Sequence, residues 1–159
     1  IPHALIIILG STAKATLAFD KHMPPEVPRI ALVDTFEDEV RESVTVAKAL
    51  RGKLQGVRLD TPSERGRVTA DLVKEVRAWL DLEGFKHVRI VVSGGLDPER
   101  ISYFIREGAP VDIFAVGSYI SDASPVDFTA DLHEVDGKAL AKRGRMPGIT
   151  PNPRLKRVM

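Results

Sequence analysis

The sequence predicts an α/β protein in which parallel strands form a sheet or a partial barrel. Between residues 29 and 118, short runs of β-branched apolar residues alternate four times with longer segments of helical periodicity. Parallel strands need long crossover connections, which are usually helical, so this alternation predicts that the strands run parallel. The alternation ends near residue 124, where the texture of the sequence changes.

The composition excludes several kinds of protein. The chain has 23 Lys and Arg against 22 Asp and Glu, which argues against a surface that binds nucleic acid or anionic membranes through bulk charge. The absence of Cys excludes disulfides, thiolate metal sites and cysteine nucleophiles. No apolar run approaches the roughly 18–20 residues that cross a bilayer. We therefore expect a cytoplasmic protein with neither nucleic acid nor membrane as a partner.

The first 25 residues are less clearly patterned. The apolar run 4–9 could be a strand or the start of a buried helix, because periodicity does not separate the two in so short a run. A helix is predicted over 12–22, before Pro24 and Pro25. The chain starts with Ile1 and an apolar run almost at once, so we expect a fragment whose N-terminal domain lies outside this chain.

Each repeating unit pairs one strand with one helix. Strands are predicted at 30–33, 56–59, 88–92 and 113–116. Helices are predicted to follow the first three strands, with the first over 38–50 and the third starting near Pro98. Their apolar stripes are Val40, Val44, Ala47 and Leu50, then Leu72, Val73, Val76, Trp79 and Leu80, then Ile101, Phe104 and Ile105.

Residues 1–124 are predicted to form the barrel portion and residues 125–159 a separate C-terminal part. Asp136-Gly137 between extended runs at 128–135 and 139–142 predicts a β-hairpin. From Arg143 the chain is rich in Pro, Arg and Lys, which predicts an extended basic tail. A solvated tail is favoured over a patch that steers phosphate, since charged segments usually lie in solvent.

The carboxyl ends of the predicted strands carry most of the polar residues that could bind a ligand or take part in catalysis. In a parallel α/β barrel the active site lies at those ends. Glycine turns let a phosphate approach backbone N–H groups, while carboxylates suit ribose hydroxyls or Mg²⁺. An arginine offers a planar fork for a phosphate or carboxylate. The set, which indicates a sugar phosphate, is Asp34-Thr35, Arg58 with Asp60, Ser93-Gly94-Gly95 and Gly117-Ser118.

Each of these residues also has a simpler interpretation. Ser93-Gly94-Gly95 could be only a tight turn, and either aspartate could be a helix N-cap. Arg58 lies in an apolar strand, where an unpaired cation would be costly, so it indicates either a pocket or a salt bridge to Asp60 or Asp34.

Four segments, 31–36, 56–60, 92–97 and 115–118, resemble successive motifs of the nicotinate phosphoribosyltransferase family, with the closest resemblance to its archaeal-like branch. The resemblance covers nearly the whole chain, including residues 140–143. It departs at Asp60-Thr61-Pro62, where many bacterial relatives have Asp-Ser-Gly.

The resemblance implies a type II phosphoribosyltransferase that joins nicotinate to phosphoribosyl pyrophosphate in NAD biosynthesis, with Mg²⁺ and coupled ATP hydrolysis. His3, which from its surroundings alone is more often a core or capping residue, matches the family's phosphorylated histidine. His3, Asp34 and Asp60 would then be catalytic, and family members build active sites across the interfaces of homo-oligomers. The implied substrate-binding residues are Thr35, Arg58, Ser93, Gly94, Gly95, Gly117 and Ser118.

Four alternatives remain open from the sequence, and one of them is a nicotinamide-specific transferase, which would differ only in details of the pocket. Quinolinate phosphoribosyltransferase shares the fold and needs no ATP, but its dicarboxylate substrate calls for more basic groups than Arg58 alone. A different sugar-phosphate isomerase or aldolase would need a Lys or Glu at a strand end, and the four ends have neither. The chain could also bind phosphate while remaining inactive without its N-terminal part.

Overall fold

The computed structural model describes residues 1–122, 133–141, 143 and 145–154. It divides into two compact units, Ile1–Ala123 and Ser124–Met159. The first unit contains a four-stranded parallel sheet whose spatial order, β1-β2-β3-β4, follows the chain. Its strands are β1 (Ile30–Leu32), β2 (Gly56–Leu59), β3 (Arg89–Val92) and β4 (Ile113–Phe114). The predicted parallel α/β fold is confirmed.

Six α-helices accompany the sheet in the described part of the first unit. They are α1 (His3–Leu9), α2 (Thr12–His22), α3 (Glu39–Leu50), α4 (Ala70–Leu82), α5 (Pro98–Arg106) and the short α6 (Ser118–Ser121). Helices α3, α4 and α5 are the crossovers between successive strands, as predicted. Their first turns are held by the side chains of Asp38, Thr69 and Asp97, each of which accepts a backbone N–H.

The ambiguous apolar run at 4–9 is helical. Ile6 of α1 is buried with Ala15 of α2 and Leu32 of β1 in a small apolar cluster separate from the main core, while α2 also packs against α3. Gly10, at φ 69°, ends α1 in the left-handed conformation and permits the sharp turn into α2. No single helix among the described residues is both long and apolar enough to cross a membrane. The α1–α2 pair meets that test only jointly and bends by 105° between its two helices.

The buried stripes of the crossover helices differ from those predicted. In α3, Val40 and Val44 are only half-buried, and the buried face begins with two carboxylates. In α4, Trp79 is 44% exposed, and in α5, Ile105 is 68% exposed while Phe104 is fully buried. These helices cover only one face of the sheet, so an apolar residue one position away from the contact line stays in solvent.

The second unit contains the predicted hairpin, with β5 (Glu134–Val135) antiparallel to β6 (Lys138–Ala139). Asp136 and Gly137 both have positive φ, 50° and 73°, as a two-residue type I′ turn requires. The outer parts of the predicted strands, residues 128–132 and Lys142, lie outside the described residues. Residues 145–154 contain no helix or strand.

Candidate active site

Three of the predicted site residues follow one line across the carboxyl edge of the sheet. Leu32, Arg58 and Val91 are paired in register across β1, β2 and β3. Asp34, Asp60 and Ser93 each lie two residues further along the chain. Because side chains alternate between the faces of a strand, these three side chains leave the same face, opposite to the main core.

His3 and Asp34 form the most direct contact of the site. The His3 Nε2 atom lies 3.1 Å from each carboxylate oxygen of Asp34. The Asp34 side chain is only 2% exposed, whereas that of His3 is 40% exposed. A neutral imidazole that donates its Nε2–H to this carboxylate keeps the lone pair on Nδ1, so the ring presents a nucleophilic nitrogen away from Asp34.

The pKa of Asp34 is raised above its ordinary value, chiefly because burial penalises the charged form. The hydrogen bond and the charge of His3 act in the opposite direction. The nearby carboxylates of Asp60 and Glu39 add to the rise. Burial therefore outweighs the contact with His3 in its effect on the Asp34 pKa.

Asp60 and Ser93 link the second and third strand ends. The Ser93 hydroxyl donates to Asp60 Oδ1 at 2.8 Å, and the Ser93 N–H donates to the Leu59 carbonyl at 2.9 Å. Gly94 has φ 88°, and a Cβ there would lie 3.0 Å from Asp60 Oδ1. Both the backbone conformation and the close approach of Asp60 therefore require glycine at this position.

His3, Asp34 and Asp60 can together hold a divalent cation. Each offers one ligand atom, and the three atoms lie within 4.8 Å of one another. The two carboxylates are the oxygen donors that Mg²⁺ prefers, whereas imidazole is not, so Asp34 and Asp60 are the members of this set that fit the metal implied by the family resemblance.

The first turn of α3 supplies two buried carboxylates that the sequence analysis missed. Glu42 accepts the Thr12 hydroxyl at 2.8 Å and the backbone N–H groups of residues 35, 36 and 37 at 3.4, 3.0 and 3.2 Å. Glu39 accepts the Thr61 hydroxyl at 2.6 Å. One helical turn therefore anchors the loops that carry both Asp34 and Asp60. Their spacing was a usable signal, because residues 39, 42, 46 and 50 form one helical stripe.

Arg58 lies half-buried on the same face as the acidic residues. No ion pair joins it to Asp34 or Asp60 within the part of the chain that the structure describes, so the alternative interpretation of Arg58 as a salt-bridge partner is not supported there. Its guanidinium lies close enough to the start of α1 to interact electrostatically with Ile1. The guanidinium remains available to an anion.

Within the described residues, no hydrogen bond or ion pair joins the remaining predicted site residues to the side chains of His3, Asp34, Asp60 or Ser93. These remaining residues are Thr35, Gly117 and Ser118. The Thr35 N–H donates to Glu42, and its hydroxyl is buried without a partner in the described chain. Gly117 and Ser118 lie exposed at the start of α6, where their carbonyl groups accept bonds from residues 120–122. Both lie beyond the carboxyl end of β4, which neighbours β3, the strand that Ser93 follows.

Known proteins resemble this chain over most of its length. The family model described as quinolinate phosphoribosyl transferase, C-terminal domain, matches residues 1–131. Nicotinate phosphoribosyltransferase pncB2 of Mycobacterium tuberculosis is 31% identical over 147 residues, which are 88% of this chain and 30% of that protein. Nicotinate phosphoribosyltransferase of Bacillus subtilis is 29% identical over 111 residues, which are 67% of this chain and 22% of that protein.

A solved structure shows the same fold. The crystal structure of nicotinate-nucleotide pyrophosphorylase from Pyrococcus furiosus matches with a TM-score of 0.75 and 50% sequence identity, over 94% of this chain and 38% of that one. The chain thus spans less than half the length of each of these relatives. Its sheet and crossover helices form part of the α/β barrel of a type II phosphoribosyltransferase. The chain belongs to the family of quinolinate and nicotinate phosphoribosyltransferases, whose C-terminal domain it matches.

Proposed function

We propose that the complete protein transfers the phosphoribosyl group of phosphoribosyl pyrophosphate to nicotinate, forming nicotinate mononucleotide and pyrophosphate for NAD biosynthesis. The observation that carries this proposal is the row of groups at the carboxyl edge of the sheet, in which His3 contacts Asp34 and Ser93 contacts Asp60. The nicotinate phosphoribosyltransferases of Mycobacterium tuberculosis and Bacillus subtilis, to which the chain is similar, support nicotinate as the acceptor.

The residues of the row have distinct roles in this reaction. The Ser93-Gly94-Gly95 turn binds the 5′-phosphate, together with Gly117 and Ser118 from the neighbouring strand end. Asp34 and Asp60 face the ribose and supply oxygen ligands for Mg²⁺, which when bound neutralises the charge of the leaving pyrophosphate. Arg58 and Thr35 are assigned to the pyridine carboxylate or a phosphate. Breaking the bond at the ribose C1 develops oxocarbenium character, so these fixed charges act mainly by positioning and electrostatic stabilisation.

His3 is assigned to the coupling of ATP hydrolysis. The γ-phosphoryl group of ATP passes to Nδ1, which gives ADP and a phosphohistidine, and later attack by water releases inorganic phosphate. Asp34 holds the opposite ring nitrogen, so it orients the ring and offsets the positive charge that develops on it during transfer. A histidine held in this way presents one nitrogen to the nucleotide.

The test is a turnover assay of the complete protein with phosphoribosyl pyrophosphate and either nicotinate or quinolinate, with and without ATP. We expect turnover of nicotinate that ATP stimulates. Radiolabelled ATP should leave an acid-labile label that His3→Ala abolishes and that the exposed control His22→Ala retains. Retained label in His3→Ala would exclude this residue as the phosphoryl acceptor.

Quinolinate is the second candidate substrate, and the description of the matching family model favours it. Its transfer releases CO₂ and needs no ATP. If the same assay shows release of CO₂ from quinolinate without ATP, and no use of nicotinate, the nicotinate assignment is wrong and the quinolinate one replaces it.

A further inference from the structure

Arg67 places a guanidinium group against the turn that follows β3. It belongs to the loop after β2, yet its Nη1 atom lies 2.8 Å from the position that a Cβ on Gly95 would occupy. The residue is exposed, and within the described residues its guanidinium has neither a hydrogen-bond acceptor nor a carboxylate partner. A cation is therefore available at the predicted phosphate turn.

The backbone holds Arg67 firmly in this place. Its φ of 64° lies in the left-handed region, which an arginine seldom adopts. The N–H of Arg67 donates to the Pro62 carbonyl at 3.0 Å, which closes the loop on its near side. On its far side, Arg100 of α5 donates to the Val68 carbonyl at 2.7 Å. Such conformations persist where surrounding contacts fix them, and they are concentrated at functional sites.

The neighbouring turn provides backbone donors for the same anion. Gly94 and Gly95 both have positive φ, 88° and 60°. Within the described residues, neither of their N–H groups has an acceptor. Successive free amides in a tight turn form a concave site for anions, and a guanidinium beside them adds charge-assisted bonds.

We propose that Arg67 is an anion-binding residue of this site and holds a phosphoryl oxygen of a sugar phosphate bound on the Gly94-Gly95 turn. The ligand class rests on the proposed function, whereas the cation and the turn rest on the structure. The nearby carboxylate of Asp60 repels a phosphate, and the guanidinium of Arg67 offsets that repulsion. A Cβ on Gly95 would displace the guanidinium from this position.

The experiment is a calorimetric titration of the chain with ribose 5-phosphate, and with ribose and nicotinate as ligands without a phosphate. Arg67→Gln should raise the Kd for ribose 5-phosphate about ten- to a hundredfold, the range expected for loss of a charge-assisted bond. Any binding of ribose or nicotinate should be unchanged. Gly95→Ala should weaken the binding of ribose 5-phosphate in the same way. The double variant should show little further loss of affinity.

Arg51→Gln is the matched control. Arg51 is also an exposed arginine with positive φ, 52°, but it precedes β2 and so lies at the amino end of the sheet. We expect Arg51→Gln to bind ribose 5-phosphate with the same Kd as the unmodified chain. The melting temperatures of Arg51→Gln and Arg67→Gln, measured by circular dichroism, should be alike.

The outcomes separate this proposal from the proposed function. If ribose 5-phosphate binds equally to the unmodified chain and to Arg67→Gln, the role of Arg67 is refuted and phosphoribosyl transfer is untouched. The role of Arg67 is also refuted if Arg67→Gln weakens the binding of nicotinate and not that of ribose 5-phosphate, or if the unmodified chain binds no ribose 5-phosphate. If Arg67→Gln selectively weakens ribose 5-phosphate while the complete protein uses neither pyridine acid, the role of Arg67 stands and the proposed function fails.

Discussion

At Asp34, the stability of the fold and the proposed function favour different protonation states. Its carboxylate is almost fully buried, and its pKa is raised because burial disfavours the charge that the proposed chemistry needs. A carboxyl group with a raised pKa binds its proton more tightly in the folded state. The stability that it contributes is therefore present at low pH and is lost as the pH rises through the folded pKa.

Asp34→Asn should accordingly raise the melting temperature near pH 7 and abolish ATP-stimulated turnover. Asparagine has the same shape and carries no buried charge, but it cannot balance a cationic imidazole. The gain in melting temperature should shrink as the pH falls from above the raised pKa of Asp34 towards its ordinary value of 3.8. Melting curves of both proteins across that range check the sign, and a gain that grows on acidification would contradict it.

Gly94→Ala should raise the KM for phosphoribosyl pyrophosphate about tenfold or more. The new Cβ would meet Asp60 Oδ1 at 3.0 Å and disturb the contact of Asp60 with Ser93. The control is Gly84→Ala, because Gly84 has φ 87° with nothing within 4 Å of its Cβ position. Both variants bear a backbone cost of about 1–3 kcal/mol, so a difference between them in KM reports the site alone. Equal KM values would move the phosphate elsewhere.

At the scale of elements, α3 links the core to both acidic loops. Glu42→Ala removes the acceptor of three backbone N–H groups and one hydroxyl, so we expect a loss of at least about 2 kcal/mol of unfolding free energy. The exposed Glu75→Ala on α4 should change it by less than about 0.5 kcal/mol. Chemical denaturation measures both, and a cost below about 0.5 kcal/mol for Glu42→Ala would show that the anchor is dispensable.

Two adjacent residues of α5 test which side of the helix packs against the core. Phe104→Ala should cost about 3–5 kcal/mol because the ring is fully buried. Ile105→Ala, the adjacent position at 68% exposure, should cost less than about 0.5 kcal/mol. Similar denaturation midpoints for the two variants would contradict the packing described here.

The sequence predicted regular elements better than contacts between them. The parallel direction of the strands and the crossover helices follow from local alternation, and the bounds of α2 were predicted from Pro24 and the preceding pattern. Run 4–9 was ambiguous because its helical form is selected by packing of Ile6 on Leu32, a contact across 26 positions. Glu39 and Arg67 were missed for a similar reason, since Thr61 and Gly95, which give them meaning, are remote in sequence.

At the scale of the whole molecule, the chain corresponds to 30% of the Mycobacterium tuberculosis relative. We expect residues 1–159 alone to bind ribose 5-phosphate but to show no transferase turnover, because the phosphate turn and the acidic residues form only part of a site. Binding calorimetry and a product assay on the same preparation check both halves of this statement. Sustained formation of nicotinate mononucleotide by these residues would overturn it.

The two carboxylates in the first turn of α3 have a consequence for how this protein can vary. Glu42 holds the residues after Asp34, and Glu39 holds the residue after Asp60, so the two loops that carry these aspartates share one support. Their movements should therefore be correlated, and slow hydrogen exchange at the amides of Phe36 and Glu37 should become fast in Glu42→Ala. The loops can also diverge in sequence without loss of the acidic geometry, provided that each keeps a donor facing this turn.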